Sequence, residues 1–298
     1  MNRHTPLTLT LAALVSISPL VMAKDEVSSD GVKVDKMSPL RNLVPEEQLE
    51  AAASEQYVGI KQQANQHKAL AADDHPEVQR LRAIARKLIP HAVRWNDRAS
   101  KWQWEVNLIG SKEINAFCMP GGKIAFFSGI LSNLKLTDDE VAIVMGHEIA
   151  HALREHGRER VAKSGLASAG AKIAGIGLSA LLGVDPNLAT AATGGIANLT
   201  MLKFSRDDET EADLVGLDIV ARAGYDPRAG IALWQKMGMI SKNAPPQWFS
   251  THPAGKSRIA EMQKHMPSVV PLYAKAKGVQ PTSLPPYESN VKGIAPIR

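Results

Sequence analysis

The residues of this chain best placed to do chemistry are His147-Glu148-Ile149-Ala150-His151. On a helix, positions four apart differ by about 40° in azimuth and one turn in height, so both imidazoles face one point. Two neutral histidines converging in this way suit a tetrahedral zinc ion. Glu148 lies about 100° around the axis from His147, off the ligand pair but within reach of a water held between them. That is the position of a general base. His156 stands about 180° around from His147 on an unbroken helix and is read as structural.

A catalytic zinc takes a third protein ligand and keeps one position open for water. The acidic run Ser205-Arg206-Asp207-Asp208-Glu209-Thr210-Glu211-Ala212-Asp213 offers candidates. Glu209 and Asp213 share a helical face, so one carboxylate can bind the metal while the other accepts a hydrogen bond from a ligand histidine. Spacing alone leaves Glu211 in play, although it points away from that face and is expected in solvent. His252, between Thr251 and Pro253, is a further candidate. It could donate to the oxyanion of a tetrahedral intermediate or occupy the open zinc position.

The elements that must position these groups are partly legible. Thr137-Asp138-Asp139-Glu140 has the form of a capping box, and Val141, Ile143 and Val144 continue the helix that carries the histidines. Helical pattern is also expected from Pro45 to about Ala72, from Asp74 onward through Val78, Leu81, Ile84 and Leu88, from Asp207 to Gly224, and after Asp226-Pro227. Trp104, Val106 and Leu108 alternate with Glu105 and Asn107 as in a half-buried strand. Two further strands, Ile114 to Met119 and Lys123 to Phe127, flank a Pro120-Gly121-Gly122 turn. The expected architecture is α+β and mainly helical, with a small antiparallel sheet beside the zinc helix.

The 298 residues divide, on this reading, into a signal peptide at 1–23, a leader and helix at 24–74, the catalytic domain at 75–266 and a proline-spaced tail at 267–298. Arg3 and His4 precede a short apolar run ending in Val21-Met22-Ala23, the pattern of a cleavable secretory signal. No cysteine follows Ala23 to carry a lipid, and the lone Cys118 rules out an internal disulfide. Cys118 is expected to be a small core residue. Together these features suit a bacterial periplasm. The net charge of +5 is not gathered into a basic stripe with aromatics, which argues against nucleic acid. The small-residue stretch from Leu166 to Gly195 is expected to touch a membrane or partner, or to form a hairpin by the site.

Taken in order, Asn115-Ala116-Phe117, Pro120-Gly121-Gly122-Lys123-Ile124, His147-Glu148-x-x-His151, Glu209-x-x-Ala212-Asp213-x-x-Gly216 and Thr251-His252-Pro253 resemble the HtpX-type and CAAX-prenyl-protease family of gluzincin metallopeptidases. Within that family, the pattern is most similar to soluble periplasmic members of the BepA and LoiP kind. The resemblance implies a zincin-type fold, one Zn2+ per chain, Glu209 as third ligand, Asp213 as support of a ligand histidine, and unfolded or outer-membrane polypeptides as substrates. A rival expectation from a different class is a chaperone-like binding module with a latent or structural zinc.

Overall fold

The computed structural model describes residues 31–170, 199–240, 248–253 and 256–298. The expected signal peptide lies outside them, as does the Leu166–Gly195 stretch beyond Gly170. Among the described residues, no helix is long and apolar enough to cross a membrane. Helices dominate, and a single three-stranded sheet accompanies them among the described residues.

The helices here are α1 (Glu46–Gln66), α2 (Pro76–Leu88), α3 (Ser128–Asn133), α4 (Asp138–Leu153), α5 (His156–Gly170), α6 (Arg206–Arg222), α7 (Ala229–Ile240), α8 (Trp248–Thr251) and α9 (Lys256–Lys277). The strands are β1 (Glu105–Ile109), β2 (Ala116–Met119) and β3 (Lys123–Phe127). Every residue of α4 from Glu140 to Leu153 is buried. It is the central helix, flanked by α2, α6, α7 and β2. An element enclosed on all sides is apolar around its whole circumference, and its polar residues must then be paired. Capping begins it: Thr137 Oγ1 accepts from Glu140 N while the Glu140 carboxylate accepts from Thr137 N.

The sheet corrects the expectation of an all-antiparallel arrangement. β2 and β3 pair antiparallel around the glycine turn, with Ala116 opposite Phe126 and Met119 opposite Lys123. β1, however, pairs with β3 in parallel, from Glu105 opposite Lys123 to Ile109 opposite Phe127, giving the order β1-β3-β2. Residues 110–115 carry the chain over the end of β3, where Ser128 Oγ accepts from Ser111 N and donates to Ser111 O. Alternating burial marks a strand but not its neighbour, so the pattern does not disclose the mixed pairing.

Both end segments pack on the core. In the leader, Val32 is buried and its N–H donates to Asp218 Oδ2. At the other end, α9 continues through Pro267 and Pro271, because Met266, Val269 and Leu272 are buried and hold it against the core. Packing there outweighs the backbone hydrogen bonds those prolines forgo. Beyond α9 the tail folds on itself by an isolated bridge between Tyr287 and Ile297, and the Tyr287 hydroxyl meets Thr137 Oγ1 at 3.1 Å.

Candidate metal centre

α4 and α6 bring the site together. Where they cross, Gly146 faces Gly216, and a Cβ on Gly216 would lie 2.9 Å from His147 N. Two glycines let the backbones approach closely, and this seats the first turns of α6 over the histidine pair. Ser205 and Asp208 form a second capping box that starts α6 two turns before Asp213.

His147, His151, Glu209 and His252 are all buried, and one ligand atom from each lies within 4.8 Å of the others. Nε2 of His147 stands 3.1 Å from Nε2 of His151 and 3.5 Å from Glu209 Oε2. His151 Nε2 is 3.4 Å from Glu209 Oε1. Ligand atoms about 2.0–2.1 Å from a tetrahedral zinc are separated by roughly 3.3 Å. The two histidine nitrogens lie near such an edge length, and each is about as far from one of the two Glu209 oxygens, so the set fits zinc. His252 Nδ1 approaches the same point, 3.3 Å from His147 Nε2 and 2.9 Å from Glu209 Oε1.

Behind the donors lies a charged layer. Asp213 Oδ1 is 3.0 Å from His147 Nδ1, so it can accept a hydrogen bond from Nδ1–H and leave Nε2 free to ligate. Arg258 donates twice to Asp213, at 2.6 Å from both Nε and an NH2 nitrogen, and also to Glu209 Oε2. Burial favours a neutral Asp213 carboxyl, but the Arg258 guanidinium outweighs it and holds Asp213 below the usual carboxylate range. Burial is likewise outweighed at Glu209, where hydrogen bonds from His151 and His252 keep the carboxyl far down. For His151, burial dominates and depresses the imidazole, so it stays neutral as a ligand must.

Glu148 behaves differently. Burial pushes its carboxyl up, against the pull of His252 and His147. Its Oε1 accepts from Trp248 Nε1 at 3.0 Å and lies 3.5 Å from His252 Nε2. Trp248 in turn stacks on Trp234, and the Arg258 guanidinium lies over the Trp234 ring, 4.0 Å from its centroid.

His147, Glu148, His151, Glu209, Asp213 and His252 all converge, and Trp248, Arg258, His156 and Glu211 join them. Trp248 and Arg258 carry no local signal, because only the fold brings them near. For Glu211 the structure corrects the expectation of a solvated role, and it places His156 against the site. α4 ends at Leu153 and Glu155 takes a left-handed conformation with φ 57°, so His156 turns back toward the site. Its Nδ1 lies 2.9 Å from His151 Nδ1, and its Nε2 lies 2.7 Å from Glu211 Oε2. Glu211 is only 22% exposed and pairs with Arg154 as well. Cys118 is half-buried, with its thiol pushed well up by burial, and it takes no part in this geometry.

The sequence profile of the family described as Peptidase family M48 matches residues 75–266. Mitochondrial metalloendopeptidase OMA1 of Arabidopsis thaliana is 39% identical over 155 residues, covering 52% of this chain and 30% of the relative. The Saccharomyces cerevisiae protein of the same name is 30% identical over 237 residues, covering 74% and 64%. The Beta-barrel assembly-enhancing protease of Escherichia coli is 27% identical over 205 residues, covering 66% and 40%. The chain spans between about a third and two thirds of the length of these relatives.

Proposed function

The chain belongs to peptidase family M48, and on that footing we propose that it is a zinc-dependent endopeptidase acting on unfolded or misfolded proteins of a bacterial envelope. The observation that carries the activity is the convergence of His147, His151 and Glu209 at zinc-ligand separations, with Glu148 beside them. Zinc held there would supply an activated water near neutral pH and polarise the scissile carbonyl. Glu148 accepts the proton of the attacking water on a carboxylate oxygen and returns it to the leaving amide nitrogen. A carboxyl raised by burial suits this exchange, since it must both take and release a proton. Asp213, fixed by Arg258, holds His147 in the ligating tautomer.

β2 is an edge strand of the sheet and lies against α4, so an extended substrate can add to it through backbone hydrogen bonds. A cavity of about 40 Å³ beside His151, lined in part by Leu49, Trp102, Met119, Leu202 and Phe204, would take one apolar substrate side chain. Backbone recognition with one shallow pocket favours unfolded chains over a strict sequence. The periplasmic setting is supported by the signal-like start of the sequence. Contact with a membrane surface is part of the same proposal.

His252 supports a second statement, that this conformation is latent. Its Nδ1 stands where a fourth ligand would, and Trp248 engages Glu148 from the same short segment. Cleavage of unfolded casein, with and without chelator, tests both statements. The wild type should cleave, chelator should stop it, and Glu148→Gln should reduce the rate by about 10²–10⁴. His252→Ala should raise the rate if the histidine blocks the site; a loss would make it an oxyanion donor instead. Absence of cleavage in every case, with casein aggregation suppressed, would favour the chaperone-like reading.

A further inference from the structure

The residues behind His151 differ from those behind His147. His147 leans directly on a carboxylate, whereas His151 reaches one only through a second histidine. The chain of contacts runs from His151 Nδ1 to His156 Nδ1 at 2.9 Å, then from His156 Nε2 to Glu211 Oε2 at 2.7 Å. It ends on Arg154, whose Nε donates to Glu211 Oε1 at 2.9 Å and whose guanidinium also donates to Asp35 O. Both histidines are 3% exposed, so water does not substitute for these partners.

When His151 Nε2, the atom that faces His147 and Glu209, binds a metal, the His151 proton resides on Nδ1. His156 Nδ1, 2.9 Å away, is placed to accept a hydrogen bond from it. His156 Nε2 then donates to the Glu211 carboxylate, which can only accept.

The backbone is arranged to permit this. An unbroken α4 would place His156 about 140° around from His151. Instead the helix stops and Glu155 adopts φ 57°, a conformation that non-glycine residues rarely take without support. Glu155 is supported by Arg41 at 2.6 Å and by Arg158 at 3.0 Å. Phe204 stacks on the His151 ring with centroids 3.9 Å apart and fixes its plane. Together these contacts aim one ring nitrogen.

We propose that His156 and Glu211 are positioning residues for the metal, a relay that locks His151 in its Nδ1–H tautomer and thereby sets how tightly zinc is held. This rests on the zinc-site reading given above. It predicts effects on metal affinity that need no turnover to be seen, and it gives functional meaning to the break between α4 and α5.

The test is zinc affinity of the purified full chain, by competition with a chromogenic chelator, together with the ring 15N shifts of His151. His156→Phe fills the space without an acceptor and should weaken zinc binding about 10- to 100-fold. His156→Gln keeps an acceptor for His151 and a donor for Glu211, and should recover much of that loss. Glu211→Ala, at a half-buried position, should weaken binding about tenfold and keeps the test valid if His156→Phe does not fold. In the loaded wild type, His151 should carry its proton on Nδ1. Unchanged affinity in Glu211→Ala, equal losses in His156→Phe and His156→Gln, or a proton on His151 Nε2 would each overturn the relay. A wild type that binds no zinc would instead overturn the reading beneath it.

Discussion

Gly216→Ala probes the crossing on which the site depends. A Cβ at that position would sit 2.9 Å from His147 N, 3.0 Å from the Gly146 carbonyl carbon and 3.2 Å from its oxygen. Those atoms are backbone of a buried helix and cannot swing aside, so α6 must retreat by roughly half an ångström to restore ordinary contact. Overpacking of this kind costs about 1–3 kcal/mol. Alanine recovers about 1 kcal/mol through its better helix propensity. The expected net result is a destabilisation of up to about 2 kcal/mol, measured by urea unfolding of chelator-treated protein so that metal does not contribute. The retreat also carries Glu209 and Asp213 away from the histidines, so zinc affinity should fall with it. Gly59→Ala is the control: Gly59 is exposed in α1, an added Cβ there would meet nothing within 4 Å, and the variant should gain about 0.4–1 kcal/mol. If Gly216→Ala matched that gain and kept its zinc, the close crossing would not be what positions the site.

Two further buried charges yield sharp expectations. Arg258→Met leaves Asp213 and Glu209 without their shared cation in a site where Arg258 is 3% exposed, and should cost about 3–5 kcal/mol in the metal-free protein. Arg258→Lys should recover only part of this, since an ammonium cannot bridge Asp213 with a planar fork; a loss below about 1 kcal/mol for the Met variant would refute the role. Lys236→Met removes the partner of Glu140, 2.6 Å away, and should cost a similar amount by thermal or urea unfolding. Adding Glu140→Gln to Lys236→Met should restore part of that stability, because the amide carries no unpaired charge and can still close the cap on Thr137.

The helices, the strands and the histidine pair with Glu148 are legible in the sequence because each depends on short-range pattern. The His147–His151 spacing, the capping box at Thr137 and the turn at Pro120-Gly121-Gly122 all reside within a few residues of what they determine. The third ligand is less so: helix geometry leaves Glu209, Glu211 and Asp213 open, and the ordered motif chooses among them. The remaining parts depend on contacts far apart in the chain. Arg258 reaches Asp213 across 45 residues and Trp248 reaches Glu148 across 100. His156 is hidden for a different reason. Its neighbours look helical, and the left-handed Glu155 that redirects it is held by Arg41, from the far N-terminal side of the described chain. The parallel pairing of β1 is hidden likewise, since a strand's pattern records which face is buried and not which strand lies beside it.

Metal analysis of the purified protein by mass spectrometry tests the central claim most directly. One zinc per chain is expected in the wild type and in Glu148→Gln, with little or none in Glu209→Ala. A wild type without zinc, or a Glu209→Ala variant that keeps it, would contradict the metal centre described here.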